Sequence, residues 1–202
     1  MVPMRLGRSS ASTTSPWLVV GLGNPGDKYH STRHNIGHMV ADELVERYGG
    51  SFRAHKTQNA LATLRLGQTR EKVLVAKPAT YMNLSGGPVK ALTTFFKVPL
   101  DQLIVVHDEL DIDFDRLRIK RGGGDGGHNG LKSITQCIGD KNYYRVRAGI
   151  GRPPGAMDVS SYVLKPFNST QRQVLPLHVS TAADAVESLI TDGLTPTQNR
   201  FH

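Results

Sequence analysis

The chain has 202 residues, 38% of them apolar and 21% charged, with 21 glycines, one cysteine and a formal net charge of +8. That length and apolar content suit one well-filled core and exclude a globally disordered chain, and no apolar run approaches the ~20 residues of a membrane helix. The lone Cys137 excludes an intramolecular disulfide and a cysteine-built zinc site, so the expected setting is a reducing cytoplasm with no membrane.

Residues 1–15 (MVPMRLGRSSASTTS) carry two arginines, no acid and no apolar stretch of the kind that makes a secretory signal. They are read as an extension outside the fold, leaving residues 16–202 as a single domain. Trp17 to Val20 is a short apolar strand ending at Gly21. Ile36, Val40, Leu44 and Tyr48 then recur at helical spacing, with Gly49-Gly50 as a stop. Leu61 to Leu66 and Val73 to Ala76 read as strands whose short connection demands an antiparallel pair. Pro88 suits the first turn of a helix presenting Val89, Leu92 and Phe96. Leu103 to Val106 is a continuous apolar run, the signature of a strand buried on both faces. Leu117 to Lys120 and Val146 to Ile150 are further strands, flanking a helix near Leu131 to Ile138. A last helix carries Leu175, Val179, Ala182, Val186 and Leu189 on one stripe, with an interruption expected near Pro176 and a close at Gly193. Strands alternating with helices in this way predict an α/β fold: one α/β/α domain around a twisted mixed sheet.

Charge is unevenly spread. Asp101 to Asp115 holds six acids and no base, and Arg116 to Arg152 then holds nine bases against two acids. A basic stretch of this kind points to a polyanionic partner, nucleic acid first. Arg145 and Arg147 alternate onto one strand face and are read as a phosphate-binding pair, with one of the two equally able to serve as a solvated edge charge.

Gly21 to Gly26 (GLGNPG) matches the G-x-G-x-x-G pattern, but its context argues against a dinucleotide site. Pro25 removes a backbone N–H where pyrophosphate needs one, and the helical pattern begins only near Asn35. The turn is better read as presenting Asn24 at the sheet's C-terminal edge. His30, His34 and His38 lie four apart, yet Asn35 stands where a zinc helix of the H-E-x-x-H type needs glutamate, so no metal is assigned. His34, just before a helix and near the mouth of the first strand, suits acid–base work; His30 and His38 are read as surface residues. Carboxylates at the end of a buried strand need a partner to offset desolvation, which singles out Asp108 in VVHDELD. Asp111, Asp113 and Asp115 mimic a calcium loop but lack its glycine and terminal glutamate, and are read as solvated. Gly122 to Gly130 packs six glycines into nine residues, a composition suited to sharp turns or close approach to a ligand.

Taken together, VVGLGNPGDKY, TRHNIG, KPATYMNLSG, VVHDELD, GGGDGGHNGLKS, YYRVRAGIGRP and TDGLTPTQNRFH strongly resemble bacterial-type peptidyl-tRNA hydrolase, nearly end to end from Val19 to His202. The resemblance implies cleavage of the ester between a peptide and the 3′ ribose of tRNA, in a monomer and without metal or cofactor. It places the essential histidine on His34 as general base and its carboxylate partner on Asp108. The family's amides fall on Asn24, Asn83 and Asn129. Tyr29 and Tyr81 would line the tRNA 3′ CCA end, with Met82 and His128 bordering the site, and Lys120 and Arg147 would clamp an acceptor-stem phosphate. Asp125 puts a negative charge inside the glycine loop, which argues against phosphate binding there. A non-catalytic RNA-binding relative is the alternative, disfavoured by the presence of both His34 and Asp108.

Overall fold

The computed structural model describes residues 15–202. The extension expected over residues 1–15 therefore lies, apart from residue 15, outside the described residues. Seven strands form one mixed sheet: β1 (Trp17–Gly21), β2 (Arg53–His55), β3 (Asn59–Leu66), β4 (Glu71–Pro78), β5 (Leu103–Glu109), β6 (Leu117–Arg121) and β7 (Tyr144–Gly149), in the order β2-β3-β4-β1-β5-β7-β6. β4, β1, β5 and β7 run parallel, while β2, β3 and β6 are antiparallel to their neighbours. The expected mixed sheet, and the hairpin joining residues 61–66 to 73–76, are both present.

Helices cover both faces: α1 (Ile36–Arg47), α2 (Gly86–Phe96), α3 (Asn129–Ile138), α4 (Val159–Val163), α5 (Ser169–Thr191) and α6 (Leu194–Phe201). Alternation along the central strands divides the core in two. Val19, Val75, Ile104 and Val106 meet α1 and α5 on one side; Leu18, Val20, Leu74 and Val105 meet α2 and α3 on the other. Leu103 to Val106 are wholly buried, as a two-sided strand requires. Each such side chain contributes about 1.5–3 kcal/mol relative to exposure.

α5 runs unbroken through Pro176, contrary to the expected interruption. Proline removes the N–H that would bond the Arg172 carbonyl, but residues 172 and 176 both lie on the exposed face, where water can accept that role. The buried stripe from His178 to Ile190 holds the helix together beyond it. β2, α4 and α6 were absent from the sequence reading.

Two features bear on function. α1 meets the sheet backbone to backbone: a Cβ on Gly37 would stand 2.4 Å from both the Leu22 nitrogen and the Val106 oxygen. This contact sets the turn before α1 against the C-terminal ends of β1 and β5. At the far side, α6 lies along the outer strand β6. There His202 Nε2 accepts the Ile119 N–H at 2.7 Å and Gln198 Nε2 donates to the Ile119 carbonyl at 2.9 Å.

Candidate active site

The C-terminal ends of β1 and β5 open into a cavity of about 580 Å³ whose lining includes Asn24, His34, Met82, Asp108, His128 and Asn129. Each residue arrives on a different local device. His34 sits in a 3-10 turn that leads into α1; Asp108 ends the buried strand β5; His128 is the N-cap of α3.

Asp108 lies between the two histidines. His34 Nδ1 is 2.9 Å from Oδ2 and His128 Nε2 is 2.8 Å from Oδ1. Burial alone would raise the Asp108 pKa, but the charges and hydrogen bonds of His34 and His128 hold it well below the usual carboxylate range. For His34, burial pulls the pKa down, and the Asp108 charge and hydrogen bond outweigh it, leaving the group above its ordinary 6.5. With Nδ1–H directed at the carboxylate, Nε2 keeps its lone pair.

The tautomer of His128 is fixed from the other side. Its Nδ1 accepts from the backbone N–H groups of Gly130 (3.1 Å) and Leu131 (3.4 Å), so the proton must be on Nε2, facing Asp108. This decides the question of a metal. His34, Asp108 and His128 offer ligand atoms within 4.8 Å of one another. A cation on His128 Nε2 would force the ring proton onto Nδ1, against two backbone donors, so these residues do not fit a metal centre. His30 and His38 border a separate cavity of about 270 Å³ that His34 does not line, so the three histidines do not converge, and the His38 ring, expected at the surface, is largely buried.

Asn24 is held on three sides. Asn35 receives its N–H and donates to its carbonyl, both at 2.9 Å, and its own Oδ1 accepts the Met82 N–H at 2.8 Å. The carboxamide NH₂ is left as its available donor toward the cavity. Asn35 was missed as a positioning residue; the only signal in the sequence was an amide one place after His34. Asn83 and Asn129 are exposed on the cavity wall, and Tyr81, 53% exposed, stands edge-on to Tyr29 with ring centroids 6.3 Å apart. Leu110, Val159, Val163 and Leu164 add apolar surface to the lining, beside Glu109, Asp158 and Ser160.

Lys120 and Arg147 lie outside this cavity, on neighbouring strands at the basic edge. Burial and then the nearby Arg147 and Arg145 charges lower the Lys120 pKa. Arg147 pairs with Glu109 at 3.0 Å. The expected Arg145–Arg147 phosphate pair does not form. Arg145 is 1% exposed, and its guanidinium donates to the Gly123 and Gly124 carbonyls. It anchors the glycine loop. Alternation placed both arginines on one face correctly, but the partner of Arg145 is a remote loop rather than an anion.

The sequence model of the peptidyl-tRNA hydrolase family matches residues 18–202. Peptidyl-tRNA hydrolases of Frankia alni and Streptomyces coelicolor are 56% and 54% identical to the chain, each over 93% of it and over 94% and 96% of their own lengths. The crystal structure of peptidyl-tRNA hydrolase from Acinetobacter baumannii superposes with a TM-score of 0.85 at 33% identity, covering 93% of this chain and 94% of that one. No helix among the described residues is long and apolar enough to cross a membrane.

Proposed function

Because the chain belongs to the peptidyl-tRNA hydrolase family and hydrolyses peptidyl-tRNA, we propose that His34 is the general base of that reaction, oriented by Asp108 and acting without a metal. The observation that carries this reading is the His34 Nδ1 contact of 2.9 Å to a buried carboxylate, in the cavity that also presents the Asn24 amide. Nε2 takes a proton from water as its oxygen attacks the ester carbonyl. Asn24 NH₂ donates to the developing oxyanion. The C–O bond to the ribose then breaks, His34 returns the proton to the leaving 3′ oxygen to give a free tRNA 3′ hydroxyl, and the peptide carboxylic acid loses its remaining proton to solvent. Such general-base assistance is worth about 10²–10⁴-fold, adequate for an activated ester with no serine nucleophile.

His128 supplies the second donor that keeps Asp108 ionised. Asn83 and Asn129 hydrogen-bond the peptide, and Met82 floors the site. A neutral peptide amide suits these carboxamides, whereas the ammonium of an unblocked aminoacyl group would be desolvated without a partner, so charged tRNAs are spared. Tyr29 and Tyr81 offer stacking faces for the 3′ CCA end, and Lys120 with Arg147 holds an acceptor-stem phosphate. One copy supplies every residue named, so the reading calls for no second subunit, and we place the reaction in the cytoplasm. The test is release of N-acetyl-amino acid from blocked tRNA in the presence of chelator, with unblocked tRNA as control. His34→Ala should lower turnover at least a hundredfold or so; wild-type turnover in that variant sinks the assignment.

A further inference from the structure

Among the buried titratable groups that the reaction leaves unused, one adjoins the Asp108 carboxylate. His107 precedes Asp108 on β5 and is 1% exposed, with its side chain on the opposite face of the sheet. Its Nδ1–H donates to the Asp108 main-chain carbonyl at 2.7 Å. That bond has a topological cause. The Val106 carbonyl, two residues earlier, accepts from Leu22 just past the end of β1, whereas the Asp108 carbonyl points the same way beyond that end and has no strand to meet it. His107 supplies the missing donor.

The other ring nitrogen, Nε2, is buried and has no partner among the described residues. An unpaired buried nitrogen costs about 1–3 kcal/mol, so histidine is explained here by the Nδ1–H bond to the Asp108 carbonyl and not by packing. What the ring does touch is His128: the two centroids are 5.0 Å apart at 69°, edge to face. His128 can donate to Asp108 only while its ring is held between the α3 backbone N–H groups and the carboxylate, and His107 fills the space against it.

We propose that His107 is a positioning residue, a neutral wedge that holds the His128 ring in register with Asp108 and so divides the carboxylate's charge between two imidazole donors. The groups that face it are His128 at the start of α3, Arg145 and Arg147 alongside on β7, and Asp108 on its own strand. Burial, with the His128 and Arg145 charges, keeps its pKa near 3, so it stays neutral throughout the working range. Without the wedge, His128 loosens and the carboxylate's full charge falls on His34. The His34 pKa then rises and the acid limb of activity moves to higher pH.

This inference rests on the base assignment to His34, and its test separates the two. His107→Asn keeps a donor near the Nδ1 position and removes the ring; His107→Phe keeps the ring and removes the donor. The acid limb of kcat/KM on N-acetyl-aminoacyl-tRNA should move up by about half to one pH unit in His107→Asn, with KM within about twofold, and should stay in place in His107→Phe. Should His107→Asn fail to fold, His107→Leu takes its place with the same expected shift. Ring NMR titration of His34 in the free protein reads the same shift without turnover. An unmoved His34 titration in the ringless variant, or equal shifts in both variants, overturns the wedge. Wild-type turnover in His34→Ala overturns the base assignment instead and leaves the NMR comparison intact.

Discussion

Replacing Asp108 by asparagine is the sharpest perturbation of the site, because the structure dictates which way the new amide must turn. His128 has its tautomer fixed by two backbone donors and always presents Nε2–H. The introduced carboxamide must therefore give its oxygen to His128 and its NH₂ to His34. His34 answers by moving its own proton to Nε2, which removes the lone pair that water needs. The loss is that of a mis-set tautomer, about 10³–10⁴-fold in kcat or about 4–5.5 kcal/mol of transition-state stabilisation, with KM within threefold. Single-turnover release from N-acetyl-aminoacyl-tRNA measures it, and the residual rate should climb with hydroxide concentration, since hydroxide requires no base. Adding His128→Ser keeps a good N-cap for α3 but drops the demand on the amide, whose oxygen can then turn to His34. The double variant should recover about tenfold or more over Asp108→Asn alone, a coupling that independent sites would not show. A single Asp108→Asn variant within tenfold of wild type refutes the reasoning, as does a double variant slower than the single one.

Lys120→Ala should raise KM and reduce the slope of log KM against log salt by about one, as expected for one lost phosphate contact; an unchanged slope removes Lys120 from the clamp. Arg147→Ala should cost more than Lys120→Ala, because it also leaves Glu109 unpaired, and Glu109→Gln in the same background should return part of that excess in KM. Gly37→Ala should destabilise the fold by about 3 kcal/mol or more in urea titrations, since a Cβ at 2.4 Å from two backbone atoms has nowhere to go. Burial holds both His38 and His107 near pKa 3, against an ordinary 6.5. The unfolded chain thus binds two protons below pH 6.5 that the folded one refuses until about pH 3. Stability should therefore fall with pH between 6 and 4, by about 2.7 kcal/mol per unit from these two groups, and His107→Phe should halve that slope. A flat urea midpoint over that window rejects the assignment.

The layered α/β fold was legible because its strongest signals were local. Leu103 to Val106 reads as a two-sided strand in any context, and the Ile36–Val40–Leu44 stripe with Gly49 needs no tertiary information. The segments that escaped were short or exposed: three residues of β2 and five of α4 carry too little periodicity to register. Pro176 was misjudged because its effect depends on which face of the helix meets water, and Arg145 because its partners lie more than 20 residues away in a loop with no pattern of its own. The site was only half visible. Position in the chain marks His34 as an acid–base group and Asp108 as a carboxylate needing a partner, yet 74 residues separate them, and only likeness to a family pairs them in the sequence, whereas the fold brings them within 3.0 Å. Asn35 and His107 act through neighbours, and residues of that kind leave little trace in spacing.

A sheet with two open margins invites further strands to dock, the usual beginning of chain-to-chain polymerisation. Here one margin is answered by a helix that imitates a neighbouring strand: an imidazole nitrogen and a carboxamide meet the two main-chain groups of Ile119 as an eighth strand would. The other margin is three residues long and opens with Arg53, too brief and too charged to template a partner. Neither border therefore presents a long bare strand for another chain to pair with, and the basic edge at Lys120 and Arg147 lies beside the covered margin.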